Sequence, residues 1–183
     1  MRLAFATGIH GEFANNGSLP WGTPIKEDMN HFVKFCAGKT MVMGYKTWLS
    51  LPESVQQKYK CLVIFTRKDD TYYNFKGLKF FIENEEQFIS FIDFLSQCED
   101  GLDNSTEYCV IGGAELVKTC LKNLEHFDKA LHTLVNPKEG SLPATQTVAS
   151  VFVNKMDIDF KYQDPFIYDN ENYLITVTEY HRD

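Results

Sequence analysis

The chain has 183 residues, 44% hydrophobic and 14% aromatic, with a formal net charge of −7. That length is read as a single domain spanning 1–183 with a full core, and the aromatic content excludes a disordered chain. No apolar run approaches the ~20 residues of a membrane span, the N-terminus is too short for a signal peptide, and the acidic balance excludes non-specific nucleic-acid binding.

Arg2–Thr7 reads as a first strand. A loop bearing Asn16-Gly17-Ser18-Leu19-Pro20-Trp21 follows it. Glu27–Cys36 is expected as a helix, because Met29, Phe32, Val33 and Cys36 recur at i, i+3, i+4 and i+7. Glu27 and Asp28 stand in its first turn, where either acid complements the helix dipole by about 0.3–1 kcal/mol. Asp28 also precedes Phe32 by one helical turn and shares its inward edge, whereas Glu27 points away. A carboxylate beside an apolar face has a raised pKa and suits proton chemistry. On the residues alone, the dipole role and the chemical role of Asp28 are evenly balanced.

Thr40–Met43 is a short buried strand running into Gly44-Tyr45-Lys46-Thr47. Gly38-Lys39-Thr40 is not a phosphate-binding P-loop: the required earlier glycine is Val33, and the segment precedes a strand instead of following one. Thr47–Leu51 is a brief helix that Pro52 stops. Cys61–Thr66 is a second buried strand, followed by Arg67 and Lys68, and Lys79–Ile82 is a shorter one. Asn84-Glu85-Glu86-Gln87 reads as a capping box opening a helix whose apolar face is Phe88, Phe91, Ile92 and Leu95. Tyr108–Ile111 is a strand joined through Gly112-Gly113 to a helix over Ala114–Leu121. Such a junction offers free N–H groups to a phosphate, although a plain tight turn explains the glycine pair equally well. Lys129–Val135 is a strand, Asn136–Ser150 is turn-rich and unassigned, and Tyr173–Glu179 alternates as an exposed, antiparallel edge strand.

Strands alternating with helices predict a mostly parallel α/β sheet flanked by helices. The turns after parallel strands share one edge of the sheet. Two glycine turns with Lys46, Arg67 and Lys68 on that edge suit a ligand with several phosphates; for any one lysine alone, a solvated surface residue is the plainer reading. The five cysteines (Cys36, Cys61, Cys98, Cys109, Cys120) are odd in number, contain no C-x-x-C pair, and read as reduced cytoplasmic core thiols. The five histidines show no metal-ligand spacing, so no metal is expected.

Several of these pieces, in this order, resemble dihydrofolate reductase over nearly the whole chain. They are Asn16 to Trp21, the Asp28/Phe32 pair, Met41-Val42-Met43-Gly44-Tyr45-Lys46-Thr47-Trp48, Val63-Ile64-Phe65-Thr66-Arg67, Val110-Ile111-Gly112-Gly113 and Leu131-His132-Thr133. The resemblance implies a central, mostly parallel eight-stranded sheet with an antiparallel C-terminal strand. It implies reduction of 7,8-dihydrofolate by NADPH, within one-carbon metabolism and nucleotide biosynthesis. Asp28 would hold the pterin and favour its protonation, with Thr133 on the same carboxylate and Trp21 positioning a water. Ala6, Met29, Phe32 and Leu51 would line the substrate pocket, and Lys60 would meet the folate carboxylate, with Lys58 as a competitor. Ala14–Leu19 would form a mobile lid. For the cofactor, Ala6, Ala14, Gly17, Ser18, Leu19 and Ile111 would face the nicotinamide. Gly44, Tyr45, Lys46 and Thr47, with Gly112, Gly113, Ala114, Glu115 and Leu116, would hold the diphosphate. Thr66 and Arg67 would meet the 2′-phosphate. The resemblance also implies a cis peptide at Gly112-Gly113 and a cytoplasmic monomer, with a homodimer as alternative. Membranes and nucleic acid are not expected partners.

Four features depart from the family pattern. Asp28 follows Trp21 by seven residues, a longer gap than expected; Lys60 replaces an arginine; Val117 replaces an aromatic; and no Phe-Pro follows Val135. Two other functions fit the same residues: a related pterin or pyrimidine reductase, and an inactive folate- or dinucleotide-binding structural protein.

Overall fold

The computed structural model describes residues 1–101 and 107–182, without the side chains of 98–101 and 152. In chain order the elements are β1 (Arg2–Gly8), β2 (Glu12–Ala14), α1 (Lys26–Phe35), β3 (Thr40–Gly44), α2 (Tyr45–Ser50), α3 (Glu53–Lys58) and β4 (Cys61–Phe65). Then come α4 (Asp70–Asn74), β5 (Leu78–Phe81), α5 (Glu85–Gly101), β6 (Tyr108–Gly112), α6 (Ala114–Lys122) and β7 (Lys129–Pro137). The chain closes with β8 (Gln146–Thr147), α7 (Ser150–Asn154), α8 (Met156–Asp159), β9 (Lys161–Tyr162), β10 (Phe166–Asp169) and β11 (Tyr173–His181).

Eight strands form the main sheet in the order β10-β11-β7-β1-β6-β3-β4-β5, and the short β9 pairs with the end of β11. The β1, β3, β4, β5, β6 and β7 pairings are parallel, while β11 runs antiparallel to β7. Alternate residues of a strand face opposite sides of the sheet, so two cores result. Leu3, Phe5, Val42 and Val110 pack with Phe88, Phe91, Val117 and Leu121 of α5 and α6. Ala4, Met41, Met43, Cys109 and Leu131 pack on the other face with Trp21, Ile25 and Phe35. The second core carries α1 and therefore Asp28.

The expected elements recur with small shifts at their ends, and one assignment is corrected. Tyr173–Glu179 is not an edge strand: β11 is paired on both sides, with β7 and with β10. The edge is β10, whose Phe166 and Ile167 are 52% and 64% exposed. The segment left unassigned after Asn136 extends β7 to Pro137 and supplies β8, which pairs with β2 as a separate ribbon. At the start of α5, Asn84 accepts the Gln87 N–H at 2.9 Å, as a capping box requires. Gln87 answers the N–H of Glu83 and not that of Asn84. Cys36, Cys61, Cys109 and Cys120 are free thiols; the side chain of Cys98 lies outside the described ones. Among the described residues no helix is long and apolar enough to cross a membrane.

Candidate active site

β1 and β7 lie side by side with Ala6 opposite Thr133. Both side chains face the core that α1 covers, since Thr133 shares the parity of Leu131 and Val135 on β7. The inward edge of α1 brings Asp28 against this strand pair. Burial raises the Asp28 carboxyl above its ordinary pKa, while the Thr133 hydroxyl and the His31 charge offset part of the rise.

Two buried polar atoms in this region lack a protein partner. Thr133 is 1% exposed and Trp21 is 7% exposed, yet neither the Thr133 hydroxyl nor the Trp21 indole N–H makes a hydrogen bond. Thr133 stands close enough to Asp28 to lower its pKa, yet its hydroxyl has no partner at full hydrogen-bond geometry. A buried polar atom left unpaired costs about 1–3 kcal/mol, and such atoms call for an explanation in function. Around them lie half-buried apolar walls: Ala6, Leu19, Phe32, Leu51 and Ile111 border the same core, and Met29 is half-buried on α1. The long gap between Trp21 and Asp28 is taken up in an exposed turn at Gly22–Pro24, after which Ile25 re-enters the core.

The loop expected as a lid begins at β2. Asn15 and Ser18 exchange backbone hydrogen bonds of 2.8 and 2.9 Å. Between them Asn16 and Gly17 adopt φ of 48° and 81°, the positive angles of a tight Asn-Gly hairpin turn. Thr145 ties this hairpin down, donating its N–H to Ala14 O at 2.8 Å and accepting the Asn16 N–H on its hydroxyl at 2.9 Å.

Four pieces of the expected diphosphate cradle meet in space. β3 and β6 are neighbours with Met43 opposite Gly112, the Gly112-Gly113 peptide is cis, and Gly44 faces Gly113 N. A Cβ on Gly113 would stand 3.1 Å from the Thr47 hydroxyl, so a side chain there would crowd the cradle. Gly113 starts α6 without a side-chain cap, leaving the first N–H groups of Ala114, Glu115 and Leu116 open to an anion. Val117 is fully buried in the opposite core. Lys46, Thr66 and Arg67 are exposed at this edge, and Tyr45 is half-buried.

A separate cleft of about 450 Å³ opens at the other end of β3 and β4, lined by Val33, Lys39, Thr40, Lys58, Tyr59 and Lys60. Both lysines considered for the folate carboxylate therefore border one cleft. Lys39 is already paired with Glu107 at 2.7 Å.

Two residues passed over in the sequence also belong to this region. His31 joins the Tyr168 hydroxyl at 2.7 Å and packs on the Phe166 ring at 4.7 Å, linking α1 to the edge strand. Phe13 lies under Gly112, its ring 3.6 Å from where a Cβ would stand. The i, i+3 spacing of Asp28 and His31 was a readable signal; the β10 contacts were not.

Comparison with known proteins adds an independent finding. The sequence profile of dihydrofolate reductase matches residues 3–174. Dihydrofolate reductase type A10 of Escherichia coli is 30% identical over 156 residues, 85% of this chain and 75% of that protein. The dihydrofolate reductase of Mycobacterium leprae (strain TN) is 29% identical over 120 residues, 65% of this chain and 64% of that protein. That of Mycobacterium tuberculosis (strain ATCC 25618 / H37Rv) is 41% identical over 54 residues, 30% of this chain and 32% of that protein.

Proposed function

The chain belongs to the dihydrofolate reductase family of oxidoreductases, and on that premise we propose that it reduces 7,8-dihydrofolate to 5,6,7,8-tetrahydrofolate with NADPH. The observation that carries this reading is the half-buried Asp28, its carboxyl desolvated and raised in pKa, with the unpaired Thr133 hydroxyl on the adjoining strand and the unpaired Trp21 indole in the same core. The ionised carboxylate accepts paired hydrogen bonds from the pterin amidine edge, a charge-assisted arrangement that fixes the ring's orientation. Thr133 completes the recognition from β7. Negative charge held against the pterin favours protonation at its N5, the proton coming from solvent. Trp21 places its indole N–H where a bound water can be held. Ala6, Met29, Phe32 and Leu51 supply apolar walls that exclude bulk water, and the Ala14–Leu19 hairpin closes over the reacting face.

The glycine cradle at Gly44 and Gly112 to Leu116, with Lys46 and Thr47, fits a dinucleotide diphosphate, and Thr66 with Arg67 fits a 2′-phosphate. Bound there, NADPH supplies the hydride. The chain acts as one domain over 1–183, as a monomer in the cytoplasm, where its cysteines stay reduced.

Loss of absorbance at 340 nm with NADPH and dihydrofolate tests the proposal. No loss with folded protein overturns it. A tail-less dihydropterin as the true substrate is the second reading; the cleft bordered by Lys58 and Lys60 favours a substrate with a carboxylate tail. A higher kcat/KM for dihydropterin than for dihydrofolate reverses that preference.

A further inference from the structure

β3 and β4 run parallel with Gly44 opposite Ile64, so Tyr45, Phe65, Thr66 and Arg67 emerge at one rim. The Tyr45 ring stacks on Phe65 with centroids 4.7 Å apart, so rings fill the rim between β3 and β4, and the exposed Lys46 lies beyond Tyr45 on the β3 side. Arg67 is 85% exposed, but its Nε donates to Asp69 Oδ2 at 3.0 Å. Asp69 is itself anchored: its Oδ1 accepts the Thr71 N–H at 3.0 Å and the Tyr72 N–H at 3.3 Å. The carboxylate therefore stays put when an anion approaches. A phosphate that seeks Arg67 must share the guanidinium with this fixed negative charge and is repelled by it. Lys68 does not make up the loss, since its ammonium lies 4.7 Å over the Phe81 ring. An unphosphorylated ribose meets no such penalty: its 2′-hydroxyl is neutral and donates to a carboxylate.

We infer that Asp69 is a specificity-determining residue of the coenzyme rim, one that holds down the preference for a 2′-phosphorylated dinucleotide over its unphosphorylated counterpart. The inference rests on the coenzyme reading above, which sets Thr66 and Arg67 against the 2′-phosphate.

Asp69→Asn tests it. Asn caps a helix as well as Asp does, so the bonds to Thr71 and Tyr72 persist while the charge is lost. Fluorescence titration of the full chain with NADPH and with NADH gives the dissociation constants. The substitution tightens NADPH about two- to fivefold, the range of an exposed ion pair, and leaves NADH within about 1.5-fold. The gain shrinks as salt rises, because exposed charges are screened. An unchanged or weaker NADPH affinity overturns the inference, and so does an equal gain for NADH. If Asp69→Asn lowers the unfolding midpoint, Asp69→Ser, which also caps, carries the same test. NADPH binding by the wild type with no change in either variant sinks the inference alone. No NADPH binding by the wild type sinks the coenzyme reading and the inference with it.

Discussion

Burial raises the pKa of the Asp28 carboxyl in the folded chain. The native state therefore holds this proton more tightly than the unfolded state does, and ionised Asp28 costs stability at neutral pH. That cost is absent below the unfolded pKa and is complete above the folded one. Asp28→Asn is accordingly more stable than wild type at pH 7 in urea unfolding, and the gap closes as the pH falls toward 4. The same variant loses about 10²–10⁴-fold in turnover, with NADPH affinity changed less than about twofold. Wild-type turnover would remove Asp28 from the chemistry.

His132 behaves in the opposite sense. Its Nε2 meets the Thr7 hydroxyl at 2.8 Å, its ring stacks on Phe5 at 4.7 Å, and burial pushes its pKa down to about 4. The unfolded chain takes up this proton first, so stability present above about pH 6.5 is lost as pH falls toward the folded pKa. Between pH 7 and pH 5 the contribution is about 2 kcal/mol. His132→Gln, which keeps a partner for Thr7 and does not titrate, flattens the pH dependence of the urea midpoint over this window. An equally steep dependence in the variant would assign the loss to other groups. At this scale the inward edge of Asp28 was legible from its spacing to Phe32. The unpaired state of Thr133 and Trp21 was not, because a missing partner is a property of everything around an atom.

Among the elements, the β2–β8 ribbon bears most directly on the Ala14–Leu19 hairpin, the lid of the proposed mechanism. Gly11 adopts φ of 84°, and a Cβ there would stand 2.1 Å from the Val148 carbonyl oxygen. That same pair is joined by the Val148 N–H donating to Gly11 O at 2.7 Å. Gly11→Ala therefore breaks the ribbon at its root and costs about 1–3 kcal/mol. Hydrogen exchange over 12–19 speeds up, and the melting temperature falls by about 2–4 °C for each kcal/mol lost. Unchanged protection there would show that the hairpin holds itself without β8. The ribbon escaped sequence reading because strands of three and two residues carry no period. The misplacement of β11 as an edge has a different cause. Alternation along Tyr173–Glu179 reports which residues face the core, but the edges of a strand are paired through backbone groups common to all residues.

Over the whole molecule, a net charge of −7 opposes an anionic substrate, and the cleft with Lys58 and Lys60 is a local exception. A tail carboxylate bound there gains about 0.5–1.5 kcal/mol from one hydrogen-bonded contact. Lys60→Gln raises KM for dihydrofolate about two- to tenfold and leaves KM for a tail-less dihydropterin unchanged. Equal changes for both substrates would point to a distorted fold instead of a lost contact. A larger effect from Lys58→Gln would move the contact to that side chain.

Much of the architecture was decided within short stretches of chain. Hydrophobic period, turn residues and their order were enough to place α1, the parallel strands and the glycine junctions, because each is encoded over a dozen residues or fewer. Other features came only with the tertiary structure: Phe13 under Gly112, Thr145 latching the Asn16-Gly17 hairpin, His31 bound to Tyr168, and Asp69 settled on Arg67. The first three join residues far apart in the chain, so only packing brings them together. The last needs the bend after β4 to turn two near neighbours onto each other.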